Sequence, residues 1–529
     1  MTHLKRREEG IGMACLQRPA WCLVAFWIAG VSGCSRLENS AALNPYLYAP
    51  PTRSEQWQSA GTPLPLGGMD TNSTGSLSSS NWATLSNLTD LGLSRPPDKT
   101  NNLADLIDLA QRANPQTRQA WEQARAAAAQ LGLADSAYAP VLALIASGGY
   151  SHSAYPAPGE LLVATGPSFS PGLSLEWILL DFGRRRADFD AAAQQLLRAN
   201  FRFNRTHQQV AFEVQRSFYT YDASRAQLDA ALATLKAAQT VEQAASLRLE
   251  HGLATRSEHL QTRQERARAE YDLQSAQRNV SDAWAFLAES LGVSPTVSCK
   301  VVDLSALPIP TNLADSVELV VDRALRQRPD LAAQLAELRA REAEVRRART
   351  EFRPRIGLSA NGGGTIGSWD ITAAGSPSPS YGYAEPEYGA FLTFSWSLFD
   401  GFMRRNKLRE AEARRNEAEA ALSAMELKAL REVWQAYADC KASFLQYDFA
   451  DALLTASKDN YDAALTSYQN GLGTVIELLT AERDLARART TLVESRAGIL
   501  TSSAALAFAA GDWIGSPGRQ PTSGIGKEH

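Results

Sequence analysis

One sequence pattern occurs twice in the chain, and this internal duplication restricts the folds available to it. Residues 173–186 read LSLEWILLDFGRRR, and residues 392–405 read LTFSWSLFDGFMRR. In both copies, alternating apolar residues end at an Asp near a Gly, and a helical pattern rich in Ala and Arg follows. An offset of 219 residues persists over about 90 positions, which predicts two copies of one structural unit. The pairs that keep it include Trp177 and Trp396, Asp181 and Asp400, Gly252 and Gly471, and Glu258 and Glu477.

Each copy also contains stretches in which apolar and polar residues alternate. A period of two predicts strands with one apolar face, either in soluble hairpins or in a transmembrane barrel. We expect the two hairpins to close through loops rich in Pro, Gly and Ser at residues 152–168 and 366–387. Four strands cannot close a barrel in lipid, because open edges leave backbone groups unpaired. Either several chains share one barrel, or the strands form soluble hairpins.

Long helices follow the predicted hairpins. Residues 184–251 and 404–470 contain neither Pro nor Gly, and at about 1.5 Å per residue each spans roughly 100 Å. Their apolar residues recur with a 3.5-residue repeat, which predicts left-handed coiled-coil packing. A glycine turn ends each helix, and a second helix returns to Leu291 or Ala510. The predicted core positions in the second copy are Leu430, Val433, Tyr437, Cys440, Phe444 and Tyr447.

Charge and motifs argue against several functions. The chain has 53 Lys and Arg residues and 57 Asp and Glu residues, a net charge of −4, and no basic cluster suited to nucleic acid. The six histidines have no standard metal-ligand spacing. No phosphate-binding glycine loop, GxSxG or CxxC motif occurs. We therefore expect no enzymatic activity, no cofactor, no metal site and no nucleic-acid partner.

The first 33 residues resemble an export signal. Basic residues precede an apolar run at 21–30, which is short for a membrane span and suits a secretory signal. The run ends at Val31-Ser-Gly-Cys34, which resembles a bacterial lipobox, so we expect Cys34 to be lipidated. A plain signal peptide with an incidental cysteine is the alternative. The Ser-, Pro- and Asn-rich residues that follow, to about residue 100, predict an extended tether.

The turns between the paired helices carry the most informative acidic residues. Glu258 lies six residues after Gly252, and Glu477 lies six residues after Gly471. One interpretation is an ordinary acid in the first turn of a helix, which the helix dipole favours. The other is a ring of charge at a pore constriction, formed when several copies assemble. The spacing alone favours neither interpretation.

Together these features resemble the TolC-type outer-membrane efflux channels, and within them the lipidated branch. The resemblance covers about residues 103–511 and rests on the duplication, the Gly-Leu turns and the two strand-to-helix junctions. It implies a homotrimer with a shared twelve-strand barrel in the outer membrane, continuous with a periplasmic α-helical tunnel. It also implies a periplasmic adaptor (membrane fusion) protein and an inner-membrane pump as partners. The junction residues are Trp177, Asp181, Trp396 and Asp400.

The helix turns would then form a periplasmic tip that gates the conduit. Family aspartates fall at Glu258 and Glu477, and a family tyrosine falls at Tyr468. A family arginine used in closing the tip falls on Gly473, and a second acidic position falls on Thr480. The resemblance therefore implies a tip that retains its charge, but whose closed state is either weaker or held by a different set of contacts.

The predicted fold is mainly α-helical with a membrane β-barrel portion, built from two copies of a long helical hairpin and a strand pair. The predicted function is the outer-membrane channel of a tripartite efflux or type I secretion system. A lipid-anchored periplasmic coiled-coil adaptor without a pore and a cell-envelope lipoprotein enzyme are the alternatives. The predicted divisions are a signal peptide (1–33), a tether (34–100), repeat 1 (101–292), an equatorial linker (293–316), repeat 2 (317–511) and a flexible tail (512–529).

Overall fold

The computed structural model describes residues 41–58, 101–158, 160–296, 301–302, 316–373 and 376–512. Cys34, the signal segment, most of the tether and linker, and the tail beyond residue 512 lie outside them. The helices in the described part are α1 (Leu103–Ala113), α2 (Pro115–Ser136), α3 (Arg184–Glu250), α4 (Arg256–Leu291), α5 (Val317–Gln327), α6 (Pro329–Thr350), α7 (Met403–Gln469) and α8 (Val475–Ala510). The strands there are β1 (Val141–Ala157), β2 (Glu160–Leu180), β3 (Arg355–Ala373) and β4 (Ser376–Ser395).

The duplication is confirmed by matching elements in matching order. Two helices, two strands and two helices occur twice, and α3 and α7 each contain 67 residues while α4 and α8 each contain 36. Pro115 and Pro329 begin α2 and α6, because proline at the first helical position loses no hydrogen bond. Across the described residues, no helix combines the length and the apolar character needed to cross a membrane.

The helix packing keeps the predicted period but not all of the predicted core residues. Val433 and Cys440 on α7 are buried as expected, whereas Tyr437 and Phe444 are only half-buried within one chain. Small side chains fill the centre of the seam because they let neighbouring helices approach closely. Val433 and Cys440 are therefore confirmed as core positions, and small residues occupy the other buried positions along this part of α7. The small buried residues are Ala429, Ala436, Ser443, Ala450 and Ser457.

The four strands form one antiparallel sheet in the order β1-β2-β3-β4. Val141 pairs with Glu176 at one end of the first hairpin, and Ala157 pairs with Glu160 at the other. The predicted loops at 152–168 and 366–387 are wrong, since β1 extends to Ala157 and β3 to Ala373. The partner strands supply hydrogen-bond partners across these Pro- and Gly-rich residues, so pairing outweighs their weak intrinsic preference for strands.

The contacts divide the chain into two compact units, each with its own packing. Of the described residues, the first unit contains those within 41–48, 128–180 and 356–393, and the second contains those within 49–127, 181–355 and 394–512. In the second unit, one core cluster joins α1, α3 and α4, and another joins α5, α7 and α8. Corresponding positions of the two copies therefore form corresponding cores. Such pairs are Leu106 and Val320, Val214 and Val433, and Leu291 and Ala510.

Part of the predicted tether packs against the helices of the second unit. The Trp57 backbone N–H donates to Asn204 Oδ1 at 2.8 Å, and Asn204 Nδ2 donates to the Trp57 carbonyl at 2.7 Å. The Trp121 indole N–H donates to the Pro50 carbonyl at 3.0 Å. These contacts hold residues 50–57 against α2 and α3.

Candidate functional site

Both helix-hairpin turns depend on a glycine in the left-handed region. Gly252 has φ 71° and Gly471 has φ 74°, a conformation that side chains with a Cβ rarely adopt. In the first copy, the Leu253 N–H donates to the Arg248 carbonyl at 2.7 Å and closes the turn. An equivalent bond closes the second turn, as expected of glycine C-caps. The glycines thus fix where the hairpins reverse.

The two glutamates that follow these turns lie in the first turn of α4 and α8. The Glu477 N–H donates to Thr474 Oγ at 3.3 Å, and Glu477 Oε2 accepts the Thr474 N–H at 3.1 Å, which forms a capping box. The Glu258 N–H donates to Thr255 Oγ at 3.3 Å. Both acids therefore stabilise a helix start. Their carboxylates also lie beside the two turns, which is where the ring-of-charge interpretation requires them.

Tyr468 lies on the inner side of the second turn and is only 2% exposed. Arg248, at the end of α3, covers its ring with the guanidinium carbon 4.7 Å from the ring centroid. Arg248 Nη1 also donates to the Tyr468 carbonyl. Burial raises the pKa of Tyr468, nearby Arg248 opposes the shift and nearby Glu258 adds to it. The hydroxyl therefore stays protonated, and Arg248 joins the two hairpins at their tips.

The other two predicted tip positions are Gly473 and Thr480. A Cβ at Gly473 would lie 3.2 Å from Ser467 Cβ and 3.3 Å from the Tyr468 nitrogen, so a larger residue there would have to displace its neighbours. Thr480 is exposed, and its hydroxyl donates to the Ile476 carbonyl at 2.8 Å. The guanidinium that contacts Tyr468 comes from Arg248 of the first copy, which the sequence reasoning missed. Nothing in its helical surroundings distinguishes it from other arginines.

The strand-to-helix junctions use an aspartate as a local anchor. Asp181 accepts hydrogen bonds from the Gly183 N–H at 3.2 Å and from Arg185 Nε at 2.8 Å. Asp400 repeats the arrangement with Arg404 Nε at 2.7 Å. Burial raises the pKa of Asp181, but its hydrogen bonds from Arg185 and Gly183 outweigh that effect and lower it overall. The carboxylate is thus ionised where α3 begins.

The two junction tryptophans tie the chain back to the preceding helix. Trp177 Nε1 donates to the Tyr138 carbonyl at 3.0 Å, and Trp396 Nε1 donates to the Phe352 carbonyl at 3.1 Å. Both acceptors lie just beyond the end of α2 or α6. The tryptophans and aspartates at 177, 181, 396 and 400 therefore have structural partners in both copies.

A buried carboxylate on α8 was not singled out by the sequence. Glu482 is 6% exposed and lines a cavity of about 460 Å³ with residues of α3 and α4. Its Oε2 has no hydrogen-bond partner among the described residues. Burial raises its pKa to about 7, and the Glu265 carboxylate contributes to this, while Arg483 and Arg489 oppose it. Arg483 is itself paired with Glu265.

Glu482→Gln should make the protein more stable at alkaline pH. The pKa of Glu482 rises from 4.5 to about 7 on folding, so the folded chain binds more protons between these values and its stability falls as pH rises. At about 1.4 kcal/mol per pKa unit, the loss approaches roughly 3 kcal/mol at pH 8. Unfolding measured from pH 4.5 to 8 should show the gain of the variant growing as pH rises through this window and reaching that amount at pH 8. Glu417→Gln, at an exposed site, is the control, and an equal gain there would contradict the assignment.

No group of three or more His, Cys, Asp and Glu side chains in the described part of the chain is arranged to hold a metal ion. The candidate site is therefore the pair of helix-hairpin tips, with Arg248, Glu258, Tyr468 and Glu477 as its charged and aromatic residues. Such an arrangement places two carboxylates and a guanidinium at the turns.

Comparisons of this chain with known proteins point to one protein family. A family model described as outer membrane efflux protein matches residues 106–293 and 320–512. Protein CyaE of Bordetella pertussis is 31% identical over 424 residues, which is 79% of this chain and 86% of that protein. Outer membrane protein OprJ of Pseudomonas aeruginosa is 27% identical over 390 residues, or 72% of this chain and 78% of that protein.

A solved structure shows the same fold. The Campylobacter jejuni CmeC outer membrane channel aligns with a TM-score of 0.66 at 21% identity, covering 83% of this chain and 94% of that chain. The matched residues include both copies of the duplicated unit and both helix-hairpin turns. The chain therefore belongs to the outer membrane efflux protein family and is a channel protein of the bacterial outer membrane.

Proposed function

We propose that three copies of this chain form a passive export duct that is gated at the helix-hairpin tips. The observation that carries the proposal is the sheet, in which β1 and β4 each have a neighbour on one side only. Backbone groups on such edges must be paired in lipid, so the strands of several chains have to close one barrel. Three chains would supply twelve strands.

The side chains of the sheet support the same assembly. Apolar residues are exposed along the strands, and Tyr388 reaches 86% exposure. Many exposed apolar residues on one sheet indicate contact with lipid or with another protein. In the outer membrane, lipid would cover one face of the sheet. The most exposed apolar residues of the strands include Leu144, Tyr150, Tyr388, Leu392 and Phe394.

The long helices fit the periplasmic part of the duct. Each 67-residue helix spans roughly 100 Å at about 1.5 Å per residue. A periplasmic adaptor protein and an inner-membrane pump or secretion ATPase would complete the export pathway, and the pump would select the cargo. A lipid on Cys34 would add a second attachment to the outer membrane. Catalysis has no part in this function, which depends on shape and on charge at the tip.

Electron microscopy of the detergent-solubilised protein tests the duct. We expect a three-fold, hollow particle at least as long as the roughly 100 Å helices, together with an SDS-resistant trimer that dissociates on heating. A compact particle or a solid rod would contradict the proposal. That outcome would favour the periplasmic adaptor, in which the strands are soluble.

The charge of the tip should set ion selectivity. Glu258→Gln with Glu477→Gln removes two carboxylates per chain but keeps side chains that can cap a helix. In bilayer recordings we expect the preference for cations over anions to fall several-fold, with weaker block by divalent cations. Glu417→Gln with Glu426→Gln, at exposed sites on α7, should leave both unchanged. Unaltered selectivity in the tip variant would place these glutamates away from the constriction.

A further inference from the structure

Four arginines converge where α6 ends and α3 begins. Arg346, Arg349 and Arg353 on or just after α6 and Arg186 on α3 line a cavity of about 270 Å³. Asp190 is the carboxylate among the lining residues. We call the four arginines the α6–α3 arginine cluster. None of them takes part in the tip or in the anchoring of the junction aspartates.

The cluster keeps most of its hydrogen-bonding capacity. Asp190 accepts from Arg186 Nε at 3.1 Å and from Arg346 Nη2 at 3.2 Å. Arg353 Nη1 donates to the Phe182 carbonyl at 3.0 Å, and a guanidinium carries five N–H donors in all. The side chains of Arg186 and Arg346 are about half exposed. The cavity is thus accessible, positively charged and rich in donors.

The duplication shows that the cluster is not needed to build this part of the fold. Helices α2 and α6 have the same length of 22 residues and correspond at an offset of 214. The three α6 arginines have no basic counterpart at the end of α2, although the same strand follows. Helix and hairpin formation therefore do not require this charge. Two of the arginines also form ion pairs, Arg346 with Asp190 on α3 at 3.2 Å and Arg349 with Glu412 on α7 at 3.6 Å. The corresponding residues of α2 are Gly132, Asp135 and Ala139.

Chain connectivity locates the cluster beside the membrane part. Gly183, which lines the cavity, follows the last residue of β2 by three positions, and Arg353 precedes the first residue of β3 by two. Consecutive Cα atoms are about 3.8 Å apart, so both residues lie within roughly 11 Å of a strand end. If the strands span the outer membrane as in the duct proposed above, on which this inference rests, the cluster lies near the phospholipid headgroups on the helical side.

We propose that the α6–α3 arginine cluster binds the phosphate of an anionic phospholipid headgroup in the inner leaflet of the outer membrane. Charge complementarity supports this occupant, since arginine forms paired hydrogen bonds with phosphate oxygens. Its closeness to the strand ends favours a lipid over a free ion. Bound headgroups would fix the depth and tilt of the sheet in the membrane.

Native mass spectrometry of the full-length assembly, titrated with phosphatidylglycerol, tests this proposal. Arg349→Gln with Arg353→Gln should weaken lipid binding by roughly 20- to 30-fold, because each juxtamembrane arginine contributes about fivefold. The Arg349→Lys with Arg353→Lys variant keeps both positive charges, so it should retain most of the lipid binding. That result would also show that the fold tolerates substitution at both sites. Arg112→Gln with Arg278→Gln, at exposed paired sites on α1 and α4, is the matched control.

Three results would overturn the proposal. One is wild-type protein that binds phosphatidylglycerol no better than phosphatidylcholine. Another is a Gln variant that binds as wild type does. The third is inorganic phosphate displacing the lipid at equal concentration, which would assign the cluster to a free anion. Bilayer conductance of the same samples tests the duct separately. Lost lipid binding with normal conductance would count against the lipid site alone, whereas lost conductance with normal lipid binding would count against the duct alone.

Discussion

Replacing Arg248 with Ala should open the tip of the duct and raise its conductance several-fold. The guanidinium joins the end of α3 to the end of α7 by donating to the Tyr468 carbonyl and by covering the Tyr468 ring. A charged hydrogen bond contributes roughly 1.5–3 kcal/mol, and a cation–π contact adds about 0.5–2 kcal/mol. A loss of only about 2 kcal/mol shifts the balance between closed and open tips by roughly 30-fold.

Single-channel recording of the reconstituted protein measures this effect directly. Arg248→Lys keeps the charge and one donor, so its conductance should lie between wild type and Arg248→Ala. Arg263→Ala removes an exposed arginine near the same end of α4 and should leave conductance unchanged. If Arg248→Ala conducts as wild type does while remaining trimeric, the contact with Tyr468 is a local helix cap and not part of a gate.

The duplication made most of the fold predictable from the sequence. Pro115 and Pro329 mark where α2 and α6 begin, and Gly252 and Gly471 mark the turns, because each residue type has a distinct backbone preference. The absence of Pro and Gly between these points predicted two helices of nearly the observed length. The backbone preferences of single residues determined these features, so the sequence alone was sufficient to predict them.

The hairpins and the helix seam depended on partners that a single-chain pattern does not reveal. Residues 152–168 contain the turn-forming residues of a loop, yet they pair with neighbouring strands along most of their length. Tyr437 and Phe444 have the spacing of core residues, but the closest helix contacts use the small residues beside them. In both cases, tertiary pairing outweighed the local preference.

The site was predictable only where the family resemblance supplied a position. Tyr468 and the two glutamates follow from the turns, whereas Arg248 gains its role because α3 ends beside the last turn of α7. In the sequence, Glu482 looks like any solvent-exposed acid on a helix. In the structure, α3 and α4 pack beside it and bury its side chain. Burial of a charge depends on which helices meet, so the sequence of one helix does not reveal it.

Replacing Arg328 with Ala should cost about 3 kcal/mol of stability, because it removes the buried cation that Asp330 and Glu432 share. The Arg328 side chain is 1% exposed, and its Nη2 lies 2.7 Å from Asp330 Oδ2 and 2.7 Å from Glu432 Oε2. Its Nη1 also donates to the Ala509 carbonyl at 3.4 Å. One side chain thus holds the α5–α6 corner against α7 and the end of α8.

The pH dependence of Arg328→Ala separates this ion-pair network from simple loss of packing. Burial raises the pKa of Asp330, but its contacts with Arg328 and Arg205 lower it overall, so wild type loses stability as pH falls through that lowered value. In Arg328→Ala, Asp330 and Glu432 keep only the longer contacts with Arg205 at 3.6 Å and Lys428 at 3.8 Å. Protonation of these carboxylates is then easier, and acid should restore part of the lost stability. Arg278→Ala, at an exposed pair with 3.9 Å between Arg278 and Asp282, should cost at most about 1 kcal/mol at any pH. Combining Arg328→Met with Glu432→Gln leaves Asp330 paired with Arg205 at 3.6 Å. This variant should recover most of the loss, since uncharged, well-packed replacements of buried ion pairs are often neutral. A combined variant as unstable as Arg328→Ala would show that packing around Arg328, and not charge, holds this corner.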